Sequence, residues 1–216
     1  MSNGTPTATA PAAAPRRKFG LLGCLGLLVV GVLILGLWGV GQYNSLVKLD
    51  QGVRSSWAQV ENVYQRRADL VPNLVETVKG AADFEKSTYT AVTEARAKVG
   101  QVNINAGQLS DPEAFAKFQQ AQDALGSAIS RLLVAVENYP DLKATQNFRD
   151  LQVQLEGTEN RITQERRRFN ESAQAFNTTR LSFPTVVIAG FFGSRFNEKP
   201  YFKAQAGAET APKVKF

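Results

Sequence analysis

The feature that most constrains this chain is an uninterrupted apolar segment near its N-terminus. Residues 19–41 include no charged side chain and are rich in Leu, Val and Gly. A helix of that length rises about 35 Å, which is enough to cross a hydrocarbon core about 30 Å thick. Trp38 and Tyr43 suit the interface at its far end. We therefore predict a transmembrane helix over 19–42, preceded by a disordered tail with a basic flank over 1–18.

A cleaved signal peptide is the competing interpretation of this segment. Its apolar core would be only about 7–15 residues long and would end in an Ala-x-Ala-like site. The segment here is longer and runs into Trp38, so a retained single-pass anchor is favoured. Three basic residues, 16–18, precede the segment, whereas Lys48 and Arg54 follow it. The larger number of basic residues on the N-terminal side of the segment predicts a cytoplasmic N-terminus and an extracytoplasmic body.

The charged residues are unevenly distributed along the chain. The net charge of +6 divides into +3 over residues 1–42, zero over 43–182 and +3 over 183–216. A nucleic-acid-binding domain would itself be basic, so we predict no nucleic-acid partner. The chain has no histidine and one cysteine. Histidine general bases, imidazole ligands and clusters of thiolate ligands are therefore excluded, and we predict no cofactor, no metal and no catalytic residue.

Apolar residues in the body recur at a spacing of seven. One row is Leu46, Val53 and Val60, which Arg67 completes, and another is Phe148, Leu155, Ile162, Phe169 and Phe176. A third region alternates spacings of three and four over Phe115, Phe118, Gln122, Leu125, Ile129, Leu132, Val136 and Tyr139. This period is typical of packed helices. Short connections make sequential helices antiparallel, so we predict an all-α fold with an up-down antiparallel four-helix bundle over 43–182.

Prolines and capping residues define the predicted helix ends. Asp69 can cap a helix that has Pro72 in its first turn, which predicts a turn at 67–73. The predicted helices are about 43–68, 70–99, 111–138 and 142–182. In this topology the turns at 67–73 and 138–141 share the end far from the membrane. An apolar segment rich in Phe, Gly and Pro follows over 183–203, and a disordered tail over 204–216.

Several segments closely resemble the LemA family. They are Tyr43 to Val47, Trp57 to Glu61, Tyr64 to Val75, Glu137 to Pro140, Thr158 to Ile162, Phe183-Pro184 and Lys199 to Phe202. The resemblance covers about 43–203. It departs from the family pattern in the long Ala/Pro tail and at Ala82 to Phe84, where an aromatic residue and a histidine are more usual.

The resemblance implies a single-pass protein of the bacterial cytoplasmic membrane with a helical-bundle domain and no established enzymatic activity. Members of the family look like partners of membrane-protein quality control or envelope organisation. They are often encoded beside membrane proteases, and one branch belongs to magnetosome membranes. We expect a non-catalytic scaffold or adaptor that binds membrane lipids through its anchor and binds membrane or envelope proteins. A membrane-shaping homo-oligomer and a carboxylate-based enzyme are the alternatives.

Two groups of residues are candidates for binding. The first, at the predicted far end, is Arg66, Arg67, Asp69, Pro72, Asn73, Glu137, Asn138, Tyr139 and Asp141. Arg67 falls on an apolar row, so a structural role, in which it pairs with a carboxylate and fixes helix register, is an alternative for it. The second group is Phe183, Val187, Ile188, Phe191, Phe192, Arg195, Phe196 and Lys199. This segment is too short to span a bilayer, and it either packs on the bundle or lies in the membrane interface or against a partner.

Overall fold

The computed structural model describes residues 17–81, 84–102, 104–105 and 107–204. Most of both predicted tails, residues 1–16 and 205–216, lies outside this range. The helices are α1 (Arg17–Lys79), α2 (Lys86–Gln101), α3 (Pro112–Val136), α4 (Pro140–Lys143), α5 (Gln146–Leu181) and α6 (Thr185–Phe191), followed by a 3₁₀ turn (Gly193–Phe196). The described residues form no β-strand, and the all-helical prediction is confirmed.

The chain divides into two compact units, residues 1–42 and residues 43–216. In the first unit, the side chains of Leu27, Leu33 and Leu37 are exposed. Within the described part of the chain, α1 is the one helix that is long and apolar enough to cross a membrane. The sequence prediction of a long apolar helix near the N-terminus is thereby confirmed, and its crossing of a membrane stays a prediction.

The predicted helix break at 67–73 is wrong, because α1 continues through Pro72 to Lys79. A proline inside a helix has no N–H to donate to the carbonyl four residues earlier, which here belongs to Ala68. That carbonyl accepts a hydrogen bond from Arg96 Nε instead, at 2.9 Å. Val71 and Leu74, on either side of Pro72, are buried, so packing also favours continuation of the helix. The predicted helix 70–99 is therefore split between α1 and α2.

The ends of the later helices follow from their capping residues. Asp111 accepts hydrogen bonds from the backbone N–H groups of Glu113 and Ala114, and Pro112 occupies the first turn of α3. Thr145 caps α5 by accepting from the N–H of Phe148. The short helix α4 is separate from α5, so the helix predicted to begin at 142 begins at 146 instead.

Contacts between helices in the second unit establish their directions. Trp57 of α1 contacts Phe115 of α3 and Phe169 of α5. Ten residues further along α1, Arg67 contacts Gln122 of α3 and Glu159 of α5. The helices α1 and α3 therefore run in one direction and α5 in the other. Arg96 lies against Ala68, and Tyr89 lies under the ammonium of Lys79, so α2 is also antiparallel to α1.

Two apolar clusters form the core of this unit. The first, around Trp57, involves α1, α3, α5, α6 and the C-terminal residues Phe196 and Phe202. The second, around Leu132, involves the end of α1 together with α2, α3, α4 and the start of α5. Along α1, α3 and α5 alike, buried polar residues lie between the two clusters.

Candidate interaction surfaces

The structure separates the first group of candidate residues into two sets. Arg66, Asp69, Pro72 and Asn73 are exposed on α1, whereas Arg67 is buried. The other set, Glu137, Asn138, Tyr139 and Asp141, lies in the connection between α3 and α5. The last turn of α1 and the residues that follow it, 76–81, lie beside this connection, and the ring of Phe84 is 4.8 Å from that of Tyr139.

An open groove of about 640 Å³ lies at this end of the helical unit, and we call it the end groove. Its lining residues are Glu76, Thr77, Gly80, Ala81, Asn138, Tyr139, Pro140, Asp141, Leu142, Thr145 and Asn147. Salt bridges join Glu76 to Lys79 and Glu137 to Lys143 around it. The sequence prediction included three of the lining residues and missed the turn of α1, because it placed the end of that helix too early.

Arg67 is the centre of a polar layer between the two apolar clusters. Its side chain is 3% exposed. Its Nη2 donates to the backbone carbonyl of Gln122 at 3.0 Å and to the side-chain oxygen of the same residue, and its Nη1 donates to Glu159 Oε1 at 3.1 Å. A Cβ at position 126 would lie 3.3 Å from Nη1, so Gly126 leaves space for the guanidinium. This geometry gives Arg67 the structural role that its position on an apolar row had suggested, with a half-exposed partner carboxylate.

A second, partly buried group of polar contacts involves Tyr64, which lies one turn before Arg67 on α1. Arg166 donates from Nη2 to Asp123 Oδ1 at 2.7 Å and from Nε to the hydroxyl of Tyr64. Burial raises the pKa of Tyr64, although the nearby Arg166 and Arg67 charges oppose that shift. The phenol therefore stays protonated at neutral pH, and Arg166 pairs with both Tyr64 and Asp123.

Three side-chain amides hold the extended C-terminal residues 199–203, which we call the strap. Asn177 donates to the carbonyl of Lys199 and accepts from its N–H, both at 2.9 Å. Asn170 makes the same pair of hydrogen bonds with Phe202, at 3.0 and 2.9 Å. Gln119 does so with Lys203, at 2.8 and 3.3 Å.

The spacing of these amides matches the backbone that they bind. Asn170 and Asn177 are seven residues apart on α5, which is about 10.5 Å along a helix axis. Lys199 and Phe202 are three residues apart, which is about 10 Å in an extended chain. The ring of Phe202 then packs among aromatic rings, with its centroid 4.8 Å from that of Phe115. Phe202 of the strap is therefore part of the core.

Lys199 is anchored through its side chain as well. Its ammonium lies 2.8 Å from Asp50 Oδ1 and 2.9 Å from the hydroxyl of Ser110, and Arg54 Nε lies 2.8 Å from Asp50 Oδ2. Burial raises the pKa of Asp50, but the hydrogen bonds and charges of Lys199 and Arg54 outweigh it, and the pKa is lowered from 3.8. Asp50 is therefore ionised at neutral pH.

The structure places the second group of candidate residues on both sides of one segment. The side chains of Phe183, Val187, Phe191, Phe192 and Arg195 are exposed. Ile188 is half-buried, and Phe196 and Lys199 are buried against the rest of the helical unit. One face of the segment thus packs on the helices while the other is open.

The described carboxylates do not assemble into a metal site. Within residues 17–81, 84–102, 104–105 and 107–204, no three His, Cys, Asp or Glu side chains lie close enough together to hold an ion. Four of the described carboxylates, Glu61, Asp69, Glu76 and Glu137, lie at the surface or half-buried on α1 and after α3.

A family profile settles the classification of this architecture. The profile of the LemA family matches residues 56–216, which is more than half of the chain. The chain belongs to the LemA family. This agrees with the resemblance of its motifs, which supply Arg67 and Glu159 of the polar layer and Lys199 and Phe202 of the strap.

Curated relatives of this LemA-family chain are similar over much of its length. The magnetosome protein MamQ of Magnetospirillum gryphiswaldense is 26% identical over 179 residues, which cover 74% of this chain and 66% of the relative. The magnetosome protein MamQ 2 of Paramagnetospirillum magneticum is 24% identical and covers 78% and 67%. Protein LemA of Metamycoplasma hominis is 24% identical and covers 69% and 64%. The chain therefore spans about two thirds of the length of these relatives.

Proposed function

We propose that this LemA-family protein is a non-catalytic scaffold of the bacterial cytoplasmic membrane that binds partner proteins at the end groove. The supporting observation is that cationic side chains inside the helical unit are paired with other groups of that unit, whereas the groove at its end is open to solvent. Arg67, Arg166 and Lys199 are all paired within the helical unit. The end groove instead presents carboxylate, amide and apolar side chains to solvent, as protein-binding surfaces commonly do.

The anchoring part of this proposal rests on the apolar stretch of α1. We propose that it crosses the cytoplasmic membrane once, with the N-terminus in the cytoplasm and the helical unit outside. The three basic residues before the segment support this orientation. A protease added to spheroplasts should then degrade the helical unit, and it should do so only after permeabilisation if the orientation is reversed.

Site-specific photocrosslinking in intact cells tests the partner-binding part. A photoreactive amino acid replaces Asn138 or Asp141, both of which are exposed beside the groove. Val153 on α5, also exposed, is the control position. We expect discrete protein adducts from the groove positions and none of the same size from position 153.

The outcomes distinguish the partner. Adducts to other membrane or envelope proteins, which fractionation and mass spectrometry identify, support a scaffold role. Adducts only to a second copy of the chain support the membrane-shaping oligomer instead. If positions 138 and 141 give the same adducts as position 153, or none, the end groove is not a binding surface and the proposal fails.

A further inference from the structure

The segment from Phe183 to Phe196 has an apolar stripe that the helical unit leaves uncovered. Val187 and Phe191 are four residues apart on α6, and Phe183 lies in the turn that precedes this helix. Their exposed fractions are 64%, 86% and 84%, respectively. On the opposite side, Thr185 and Ala189 are buried. Clustered exposed apolar side chains of this size are uncommon on soluble proteins and mark contact sites. We call these three residues, with Phe192, the α6 face.

The α6 face lies beside the first residue of the helical unit. The ring of Phe192 is 4.7 Å from that of Tyr43, and the ring of Phe196 is 5.7 Å from it. In the sequence, Tyr43 follows the apolar segment that ends at Gly41. The polar interface of a bilayer is roughly 5–8 Å deep on each side of the hydrocarbon core. Groups that contact Tyr43 are therefore within reach of the lipid headgroups at the point where the chain leaves the membrane.

The charges around the α6 face favour an anionic surface. Residues 172–197 contain Arg180 and Arg195 and no acidic residue. The Arg195 guanidinium is exposed and lies 5.7 Å from the centre of the Tyr43 ring. An apolar stripe flanked by arginine and aromatic residues is typical of elements that lie in the boundary between headgroups and acyl chains, and basic groups there attract anionic lipids.

We propose that the α6 face inserts into the anionic lipid interface of the membrane that holds the anchor. The protein then has two attachments to one bilayer, the transmembrane segment and the α6 face. This inference rests on the anchoring part of the proposed function and is independent of the end groove.

Spin labels on the full-length protein test this inference directly. The chain contains a single cysteine, Cys24, within the apolar segment, so a Cys24→Ser background accepts one new cysteine at a time. Val187→Cys is the test position and Val153→Cys is its matched control, since the two valines are exposed to 64% and 68%. Each labelled protein is reconstituted in vesicles of phosphatidylethanolamine and phosphatidylglycerol.

The measurement is the collision rate of each nitroxide with oxygen, which concentrates in lipid, and with a nickel chelate, which stays in water. We expect the label at position 187 to favour oxygen and the label at 153 to favour nickel. Equal nickel accessibility at 187 and 153 would overturn the inference. Protection of position 187 from both reagents would overturn it too, because a protein surface and not lipid would then cover the face.

Two further measurements test the anchor and the role of anionic lipid separately. A label on native Cys24 reports whether the anchor itself is in lipid, so a water-exposed Cys24 would count against the proposed anchoring and not only against the α6 face. Arg195→Gln tests the anionic component. We expect it to reduce the oxygen preference at position 187 in these vesicles, and an unchanged preference would contradict a role for anionic lipid.

Discussion

Replacing Asn170 by alanine should release the strap from α5. In the structure this carboxamide donates to the carbonyl of Phe202 and accepts from its N–H, at 3.0 and 2.9 Å. Phe202 is buried, so neither backbone group gains full access to water when the amide is removed. The substitution therefore removes two hydrogen bonds and leaves one donor and one acceptor without their partner.

The expected cost follows from those two bonds. A hydrogen bond contributes about 1 kcal/mol net, and a buried group left without a partner costs about 1–3 kcal/mol. We expect Asn170→Ala to lower the free energy of unfolding by about 2–4 kcal/mol. For a domain of this size each kcal/mol corresponds to about 2–4 °C in Tm. If the strap detaches alone, the loss appears instead as local exposure of residues 199–203.

The assay combines denaturant unfolding of the full-length protein in detergent micelles, followed by circular dichroism, with limited proteolysis of the C-terminal residues. Asn160→Ala is the matched control, because Asn160 is exposed on the same helix. A second control is a chain that ends at residue 198, in which Asn170→Ala should have almost no further effect. If Asn170→Ala matched Asn160→Ala in both unfolding and proteolysis, the amide contacts would not hold the strap and the reasoning would be refuted.

Two other predictions concern the buried charges. Arg67→Ala should lower the free energy of unfolding by about 3–5 kcal/mol, because it leaves the acceptors of Gln122 buried without a donor. Arg67→Met keeps the volume of the side chain, so it should lower the free energy of unfolding by less in the same denaturation assay. The lowered pKa of Asp50 stabilises the fold above its unfolded value of 3.8, and this contribution is lost as the pH falls through the folded pKa. The difference in unfolding free energy between the wild type and Asp50→Asn should therefore be constant above about pH 5 and shrink below about pH 4. A difference that stayed constant down to about pH 2 would contradict the pairing of Asp50 with Lys199.

The repeat of seven made much of the interior predictable. Arg67 and Gln122 appear in the sequence as polar residues on otherwise apolar rows, and they meet in the structure. The other partner of Arg67, Glu159, lies 92 positions along the chain from it, and no local pattern indicates such a pairing. The end of α1 was mispredicted because Arg96, which satisfies the carbonyl that Pro72 cannot, also lies far along the chain.

The position of the strap against α5 could not be predicted from the sequence. Its signal is the repetition of Phe-Asn at 169–170 and 176–177, which puts an amide beside a core ring at the same helical position. The pattern indicates two amides on one side of α5, but it does not say what they bind. An extended segment has no periodicity of its own, so its place against α5 depends on tertiary contacts alone.

The polar layer around Arg67 has a consequence for the uniqueness of the fold. A heptad pattern is self-similar, so sliding α3 by seven residues against α1 would still place apolar side chains opposite each other over most of their length. It would, however, bring Phe115 or Ile129 to the level of Gln122, so the guanidinium of Arg67 would lose the side-chain oxygen of Gln122 and keep Glu159 of α5 as its only side-chain acceptor. The contacts of Arg67 thus make the shifted alignments of α3 less stable, so the repeat of seven specifies one packing arrangement of the helices.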